Sequence, residues 1–231
     1  MKSHHAFGIT TAMGMLAILG GCAENESADS APTAKQPAAV VADAPRVASS
    51  AAEVTPLKSG NAAPAVTLLR PDGRSVSLSS VYAAKPTVLI FYRGGWCPYC
   101  NAHLGQIGKA EPELIAMGYQ VVAVSPDRPE ELQRSVDKQH LTYQLLSDSD
   151  MTLAKAFGLA FKVDDVTVTK YRGFGIDLDR ASGQSHHLLP VPAVYIVDRT
   201  GQIRFAHWNP DYKSRLEPKE LVDAARGAIT N

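Results

Sequence analysis

Residues 86–100 constrain the fold of this chain more than any other segment. An apolar run from Pro86 to Tyr92 leads through a glycine pair into Trp96-Cys97-Pro98-Tyr99-Cys100, and helical periodicity follows to about Met117. A continuous apolar run of this length is typical of a strand buried on both faces in a sheet that helices cover. The segment therefore predicts a strand, a tight turn and a helix whose first turn carries two cysteines.

The position of the two cysteines predicts thiol chemistry. Cys97 falls at or near the helix N-cap, where unpaired backbone N–H groups and the positive end of the helix dipole favour a thiolate. Cys100 lies one turn further along, close enough to form a disulfide and to attack a mixed disulfide on Cys97. Pro98 suits the first helical turn. We expect Cys97 to be the nucleophile and Cys100 the resolving thiol.

The rest of the pattern predicts one α/β domain with a mixed central sheet covered by helices. Strands are expected at 65–69 and 75–78 (a hairpin with a Pro-Asp-Gly turn), 119–124, 144–146, 193–197 and 202–206, and helices at about 129–140, 151–157 and 218–229. The late strands 193–197 and 202–206 are joined by a turn that ends in Gly201 and form a second hairpin. Parallel and antiparallel strands must therefore share one sheet.

The N-terminus resembles a bacterial lipoprotein signal. Lys2 precedes an apolar stretch of residues 6–21 that is too short for a comfortable membrane span, and small residues lead into Cys22 as in a lipobox. We expect residues 1–21 to be a signal peptide and Cys22 to be lipidated, which places the protein in the cell envelope, facing the periplasm. Ala23 after the cysteine resembles an outer-membrane sorting signal. A cleaved signal with a chance cysteine, or an uncleaved signal anchor, is the alternative.

Composition divides the mature chain into a tether and a domain. Residues 22–59 are rich in Ala, Ser, Pro and acidic residues and lack aromatic residues, which predicts a flexible tether; residues 60–231 form the folded domain. Basic and acidic residues number 23 each, so there is no positive excess for phosphates and nucleic-acid binding is not expected.

Three other interpretations of the cysteine pair remain open. A structural disulfide is compatible with an oxidising compartment. A zinc site would need further ligands, for which His186 and His187 are available. A copper-delivery protein is the third alternative, because soft thiolates favour Cu(I), although such proteins usually space their cysteines one residue further apart.

Around these residues the chain resembles the thioredoxin superfamily, and over about 63–229 it is similar to the peroxiredoxin-like branch of the alkyl hydroperoxide reductase and thiol-specific antioxidant (AhpC/TSA) family. The resemblance lies in residues 88–100, 124–127 with Glu130, 145–148, 154–158 and 191–198. It implies a thioredoxin-like fold with a peroxiredoxin-type N-terminal hairpin. It also implies that Cys97 attacks a peroxide and becomes a sulfenic acid, with which Cys100 condenses.

The sequence departs from that family at two positions. Typical peroxiredoxins have a Thr and an Arg that hold the peroxide and the thiolate, and Gly94 and Pro192 stand in their places. The Val191-Pro192 pair instead resembles the cis-proline loop of thioredoxins, which contacts disulfide substrates; an ordinary trans-proline at a strand start is the alternative. Phe91 stands where thioredoxins carry a buried Asp.

Two residues near the thiols are further candidates for the site. Arg93 is expected to supply positive charge to the Cys97 thiolate, unless it is a solvated arginine at a strand end. Trp96 is expected to pack beside the reactive sulfur and shape the partner surface, unless it is a tryptophan at the edge of the core.

Residues 159–189 show no clear hydrophobic periodicity, and we interpret them as an insertion before Pro192 and the strand that follows it. One hypothesis is that Arg172 or a histidine of this insertion overhangs the site and replaces the missing arginine. The alternative is that the insertion only packs against the domain and forms part of its surface.

The sequence therefore predicts a thiol-dependent oxidoreductase that needs no cofactor. We expect its substrate to be a peroxide or a disulfide, an envelope thiol donor to restore the pair, and a lipid anchor to attach the protein to the membrane. A thioredoxin-like disulfide reductase without peroxidase activity is the main alternative.

Overall fold

The structure is a computed structural model that describes residues 47–139 and 141–229. Its strands are β1 (Thr67–Leu69), β2 (Ser75–Ser77), β3 (Thr87–Phe91), β4 (Gln120–Ser125), β5 (Gln144–Ser147), β6 (Ala160–Lys162), β7 (Leu188–Pro190), β8 (Ala193–Val197) and β9 (Ile203–Trp208). Its α-helices are α1 (Leu78–Ala84), α2 (Pro98–Ala116), α3 (Pro129–Gln139), α4 (Thr152–Ala156), α5 (Asp165–Gly173), α6 (Leu178–Ser182) and α7 (Pro218–Ile229). The predicted signal peptide and Cys22 lie outside the described residues.

Seven strands form one mixed sheet in the order β2-β1-β5-β4-β3-β8-β9. Strands β3, β4 and β5 run parallel, whereas β8 pairs antiparallel with β3, β9 antiparallel with β8, and β1 antiparallel with both β2 and β5. Strand β3 therefore lies in the interior of the sheet, with both edges hydrogen-bonded, and it leads the chain to the cysteine pair. This is the mixed α/β architecture that the sequence predicts.

Strand β3 supplies both faces of the core because its side chains alternate. Leu89 and Phe91 pack on one face with residues of α1 and α4, and Val88 and Ile90 pack on the other with residues of α2, α3 and α7. Every β3 residue is buried. The apolar run in the sequence is unbroken because both faces of the sheet are covered at this strand. Both cysteines belong to the second cluster.

The structure differs from the sequence prediction at the end of the first hairpin. Strand β2 ends at Ser77, and Leu78 begins helix α1, an element that the sequence pattern does not predict. Leu78, Val81 and Tyr82 are its buried residues. Their i, i+3, i+4 spacing is a helical pattern, but it covers only two turns.

The ordered domain also begins earlier than the boundary at residue 60. Ala48 donates its N–H to the Ala160 carbonyl at 2.9 Å and accepts from the Lys162 N–H at 2.9 Å, and Leu57 donates to the Phe157 carbonyl at 3.0 Å. Ala51, Val54 and Leu57 pack against the first core cluster. These contacts of every third residue, together with the backbone hydrogen bonds, fix the segment to the domain. Its average composition nevertheless resembles that of a tether.

Residues 159–189 fold into a small subdomain. Strands β6 and β7 pair antiparallel, and α5 and α6 lie between them along the chain. Val163, Val168, Leu178 and Leu189 form its own apolar cluster, against which Trp96 packs.

No helix among the described residues has both the length and the hydropathy needed to cross a bilayer.

Candidate active site

Cys97 occupies the N-cap position of α2. Its backbone is extended (φ −89°, ψ 113°), Pro98 follows at the first helical position, and the Cys100 N–H donates to Cys97 Sγ at 3.4 Å. Only 1% of each cysteine is exposed, and both are free thiols. The strand-to-helix junction therefore presents a buried dithiol whose first sulfur faces the unpaired N–H groups of a helix.

The surroundings of the two sulfurs separate their acidities. A hydrogen bond from the Cys100 thiol lowers the pKa of Cys97 to about 6, against the effect of burial, and the Cys100 N–H and the charges of Arg93 and Arg215 assist. Burial, followed by the proximity of Cys97, raises the pKa of Cys100 well above its ordinary value. At neutral pH the pair thus holds one negative charge, and that charge is on Cys97.

Arg93 lies among aromatic rings at the end of β3. Its guanidinium carbon is 4.1 Å from the centre of the Tyr212 ring and 5.2 Å from that of Trp96, and Nη2 donates to the Tyr171 hydroxyl. Only 4% of the residue is exposed, and no carboxylate pairs with it among the described residues. Because the rings hold the cation without neutralising it, its charge stays available to the Cys97 thiolate.

Trp96 joins the dithiol loop to the subdomain of residues 159–189. It is half-buried, its ring centre is 5.8 Å from that of Tyr171, and it packs against both the cysteine cluster and the subdomain cluster. The structure therefore places Trp96 beside the cysteines and within the packing of the domain.

Pro192 lies directly before β8, next to the end of β3, where Phe91 pairs with Ala193. It is buried, and its carbonyl accepts from the Asn209 N–H at 3.2 Å. Together with Arg93, Tyr171 and Tyr212 it lines a cavity of about 250 Å³. A substrate in this cavity would contact the arginine that lowers the pKa of Cys97.

The hypothesis about Arg172 and the two histidines does not match their positions. Arg172 pairs with Asp179 at 2.9 Å on the surface, and His187 faces the same carboxylate. His186 bonds to the Ser149 carbonyl and accepts from the Leu188 N–H. Within the insertion, Tyr171 reaches the site, where its hydroxyl accepts a hydrogen bond from Arg93 Nη2.

Sequence reasoning missed Asp127 as a site residue. Its Oδ2 accepts from the Gly95 N–H at 2.7 Å and from Ser125 Oγ at 3.1 Å, and burial raises its pKa to about 7. The available signal was an acidic residue two positions after the end of β4, the strand that neighbours β3. This carboxyl fixes the glycine turn that leads to Cys97.

Arg215 was missed as well. It lies between β9 and α7, and its Nη2 donates to Cys100 Sγ at 3.4 Å. The two residues are 115 positions apart, so no local pattern in the sequence could have paired them.

The described residues contain no group of three histidine, cysteine or acidic side chains arranged to hold a metal ion. A copper or zinc ion at the dithiol would therefore meet two thiols and no third protein ligand of those types in this part of the chain. The arrangement instead favours thiol redox chemistry: one acidic thiol, one shielded thiol one turn away, and two guanidinium groups.

Comparison with known proteins agrees with this chemistry. A model of the AhpC/TSA family matches residues 59–206. Peroxiredoxin Bcp of Escherichia coli K12 is 32% identical over 106 residues, which are 46% of this chain and 67% of that protein. Peroxiredoxin Q of Suaeda salsa chloroplasts is 26% identical over 170 residues, 74% of this chain and 66% of that protein.

Solved structures share the fold. Peroxidoxin BcpB of Mycobacterium tuberculosis superimposes with a TM-score of 0.58 at 18% identity, covering 75% of this chain and 97% of that one. Reduced Prx3 of Vibrio vulnificus, solved in complex with hydrogen peroxide, gives 0.60 at 20% identity and covers 73% and 99%. The predicted thioredoxin-like fold of peroxiredoxin type is confirmed.

Proposed function

This chain belongs to the AhpC/TSA family, and from that premise we propose that Cys97 is its peroxide-reacting thiol and Cys100 its resolving thiol. The protein is a peroxiredoxin-type thiol-dependent peroxidase. The observation that carries the assignment of Cys97 is its place at the N-cap of α2, with a pKa lowered to about 6.

The proposed reaction has two steps. The Cys97 thiolate attacks one peroxide oxygen, the O–O bond breaks, and the departing alkoxide or hydroxide takes up a proton while Cys97 becomes a sulfenic acid. Cys100 then attacks Cys97 Sγ, the S–S bond forms and water leaves. A thiol donor supplies the two electrons that return the disulfide to the dithiol.

Arg93, Trp96 and Pro192 complete the proposed site. Arg93 carries the positive charge that favours the thiolate, and its aromatic surroundings leave that charge unpaired. Pro192 lines the cavity beside it, and Trp96 holds the dithiol loop against the subdomain of residues 159–189. Gly94 leaves the position of the usual peroxiredoxin threonine empty, so Arg93 is the group we assign to the peroxide.

Single-turnover measurements test this assignment. Reduced protein is mixed with hydrogen peroxide, and peroxide loss and Trp fluorescence are followed. We expect Cys97→Ser to abolish the reaction and Cys100→Ser to stop it at a sulfenic acid that dimedone traps. A rate no faster than that of free cysteine in the intact protein would overturn the assignment.

Disulfide exchange is the second candidate, and one observation favours it. Pro192 lies buried before β8 at the rim of a cavity of about 250 Å³, next to Arg93, where an extended disulfide-bearing peptide could lie. A model disulfide is therefore included in the same experiment. Faster reduction of the disulfide than of hydrogen peroxide would favour a thioredoxin-like reductase.

We also propose that the protein is anchored through Cys22 to the periplasmic side of the cell envelope, in the outer membrane, where a thiol donor of the envelope reduces it. The support is the apolar stretch of residues 6–21 followed by small residues and Cys22, and Ala23 supports the sorting. Metabolic labelling with palmitate tests the anchor. We expect the intact protein to be labelled in the membrane fraction and Cys22→Ala to be unlabelled; label on both would contradict the anchor.

A further inference from the structure

Arg215 is the one guanidinium among the described residues that donates a hydrogen bond to the resolving thiol. Its Nη2 lies 3.4 Å from Cys100 Sγ. No carboxylate pairs with Arg215 in the described part of the chain, and its buried Nε has no partner there. The positive charge of Arg215 is therefore directed at the sulfur of Cys100, a residue that is only 1% exposed.

The loop that carries Arg215 is tied to the helix that carries Cys100. His103 lies three residues after Cys100 on α2, and its Nε2 donates to the Leu216 carbonyl at 3.2 Å. Leu216 is buried in the same cluster as both cysteines. Burial lowers the pKa of His103 to about 4, so this donor is a neutral imidazole throughout the physiological range. Leu216 thus ties the loop that carries Arg215 to the core beside Cys100.

The groups that face Cys100 come from three parts of the fold. Cys97 precedes α2, Tyr92 and Arg93 follow β3, and Arg215 precedes α7. Tyr92 is fully buried and burial keeps its hydroxyl protonated, because its pKa is raised well above the ordinary value. The charge that disfavours ionisation of Cys100 is therefore that of the Cys97 thiolate. The positive charge of Arg215 favours ionisation of Cys100.

We propose that Arg215 is a catalytic residue of the second step: it stabilises Cys100 as a thiolate once Cys97 has been oxidised. The proposal rests on the proposed function. Attack on the peroxide turns the Cys97 thiolate into a neutral sulfenic acid, which removes the negative charge beside Cys100 and leaves Arg215 in place. The negative charge thus passes from the first sulfur to the second only after the first has reacted.

This step balances without an external reactant. Cys100 gives up its proton and attacks Cys97 Sγ; the S–S bond forms as the S–O bond of the sulfenic acid breaks. The hydroxide that leaves takes up one proton and departs as water. Each sulfur ends in the disulfide, and the peroxide of the first step is the only oxidant.

A thiol titration tests the proposal without any peroxide. Cys97→Ser replaces the charged neighbour with a neutral one, as oxidation does. We follow the ultraviolet absorbance of the Cys100 thiolate against pH in this variant. Adding Arg215→Gln should move the midpoint up by about one pH unit, an approximately tenfold loss of thiolate at any pH below it. Adding Arg215→Lys should restore part of the shift, and an unmoved midpoint in both variants would overturn the proposal.

A kinetic experiment separates this proposal from the proposed function. Sulfenic acid formation and disulfide formation are timed by dimedone trapping and mass spectrometry in a single turnover. Arg215→Gln should slow disulfide formation about tenfold near neutral pH, and more than it slows the reaction with hydrogen peroxide. Lys219→Gln, which removes a positive charge from the exposed start of α7, is the control and should leave both rates unchanged.

The outcomes are distinct. A wild-type protein inert to peroxide would overturn the proposed function and leave the titration to decide the role of Arg215. If the wild-type protein reacts with peroxide, and Arg215→Gln slows both steps equally or slows neither, the role of Arg215 alone would be overturned.

Discussion

At Cys97 the stabilisation of the thiolate outweighs the cost of burying it. The thiol of a cysteine that is only 1% exposed would ordinarily resist ionisation. The Cys100 thiol, the Cys100 N–H and two arginines nevertheless lower the pKa of Cys97 from 9.0 to about 6. The largest contribution comes from the neighbouring thiol as a hydrogen-bond donor. The acidity of the first cysteine is therefore a property of the pair.

This balance predicts the pH profile of alkylation. The rate with iodoacetamide should rise with pH to a midpoint near the pKa of about 6 and then level off, because only the thiolate reacts. Cys100→Ala removes the donor and should move the midpoint upward, whereas Cys100→Ser keeps a hydroxyl donor and should move it less. Identical profiles for the two variants would contradict the role of the thiol hydrogen bond.

Gly94 has a packing role that the sequence alone, where it stands in place of a threonine, does not indicate. Its φ of +146° and the lack of a side chain let Trp96 Nε1 and Asp127 Oδ1 approach; a Cβ would lie 2.3 Å from the first and 2.8 Å from the second. The threonine that peroxiredoxins usually have at this position therefore does not fit into this loop.

Substitution of Gly94 should consequently cost stability. We expect Gly94→Ala to lower the free energy of unfolding by about 1–3 kcal/mol, through backbone strain and overlap with Trp96. Gly105→Ala is the matched control: it lies inside α2 with open space around it and should be neutral or slightly stabilising. Urea unfolding measures both, and equal effects would contradict the close approach at Gly94.

At the scale of elements, the sequence predicted what depends on local pattern. The apolar run of β3, the cysteine-bearing start of α2 and the β8–β9 hairpin follow from periodicity and turn residues. Helix α1 and the elements of residues 159–189 were missed. Helices α1 and α6 span only seven and five residues, and α5, with nine residues, buries only Val168, so its sequence shows no apolar helical period. Arg215 could not be assigned, since its role depends on a contact between elements that are distant in the sequence. The position of Asp127 after β4 was a signal, but its bond to the Gly95 N–H appears only in the fold.

Helix α5 contributes Tyr171 to the dithiol site, and its hydroxyl can be tested alone. Tyr171→Phe keeps the ring beside Trp96 but leaves the buried Arg93 Nη2 without its acceptor. We expect a loss of about 1–3 kcal/mol in the free energy of unfolding and a slower reaction of Cys97 with peroxide.

Tyr212→Phe is the control for that variant. The Tyr212 ring, 4.1 Å from the Arg93 guanidinium, is kept, and so is the cation–π contact. Stability and rate should therefore stay close to those of the intact protein. A Tyr171→Phe variant as stable and as fast as Tyr212→Phe would show that the hydroxyl does not support Arg93.

At the scale of the whole molecule, buried carboxyls couple the site to global stability. Burial raises the pKa of Asp127 from 3.8 to about 7, and that of Asp148 similarly. Between pH 3.8 and about 7 these two carboxyls keep protons in the native state that they have lost in the unfolded chain. The free energy of unfolding therefore falls as pH rises through this range. The lowered pKa of Cys97 has the opposite effect, between about 6 and 9.0.

Asp127→Asn should therefore flatten the pH dependence of unfolding. Between about pH 4 and 6, where Cys97 is protonated in both states, the slope should become shallower by at most about 1.4 kcal/mol per pH unit, the limit for one proton. Urea unfolding at several pH values in this window measures the slope. Asp223→Asn, an exposed carboxyl on α7, should leave it unchanged; an unchanged slope in Asp127→Asn would contradict the raised pKa.

The near-complete burial of both sulfurs also determines how this protein appears to chemical probes. A molecule the size of hydrogen peroxide needs only a narrow approach to Cys97, whereas a maleimide dye needs the surrounding rings to part. Surveys that rank cysteine reactivity with large fluorescent labels would therefore place Cys97 among inert residues, and a graded series of electrophiles would measure the width of its entrance.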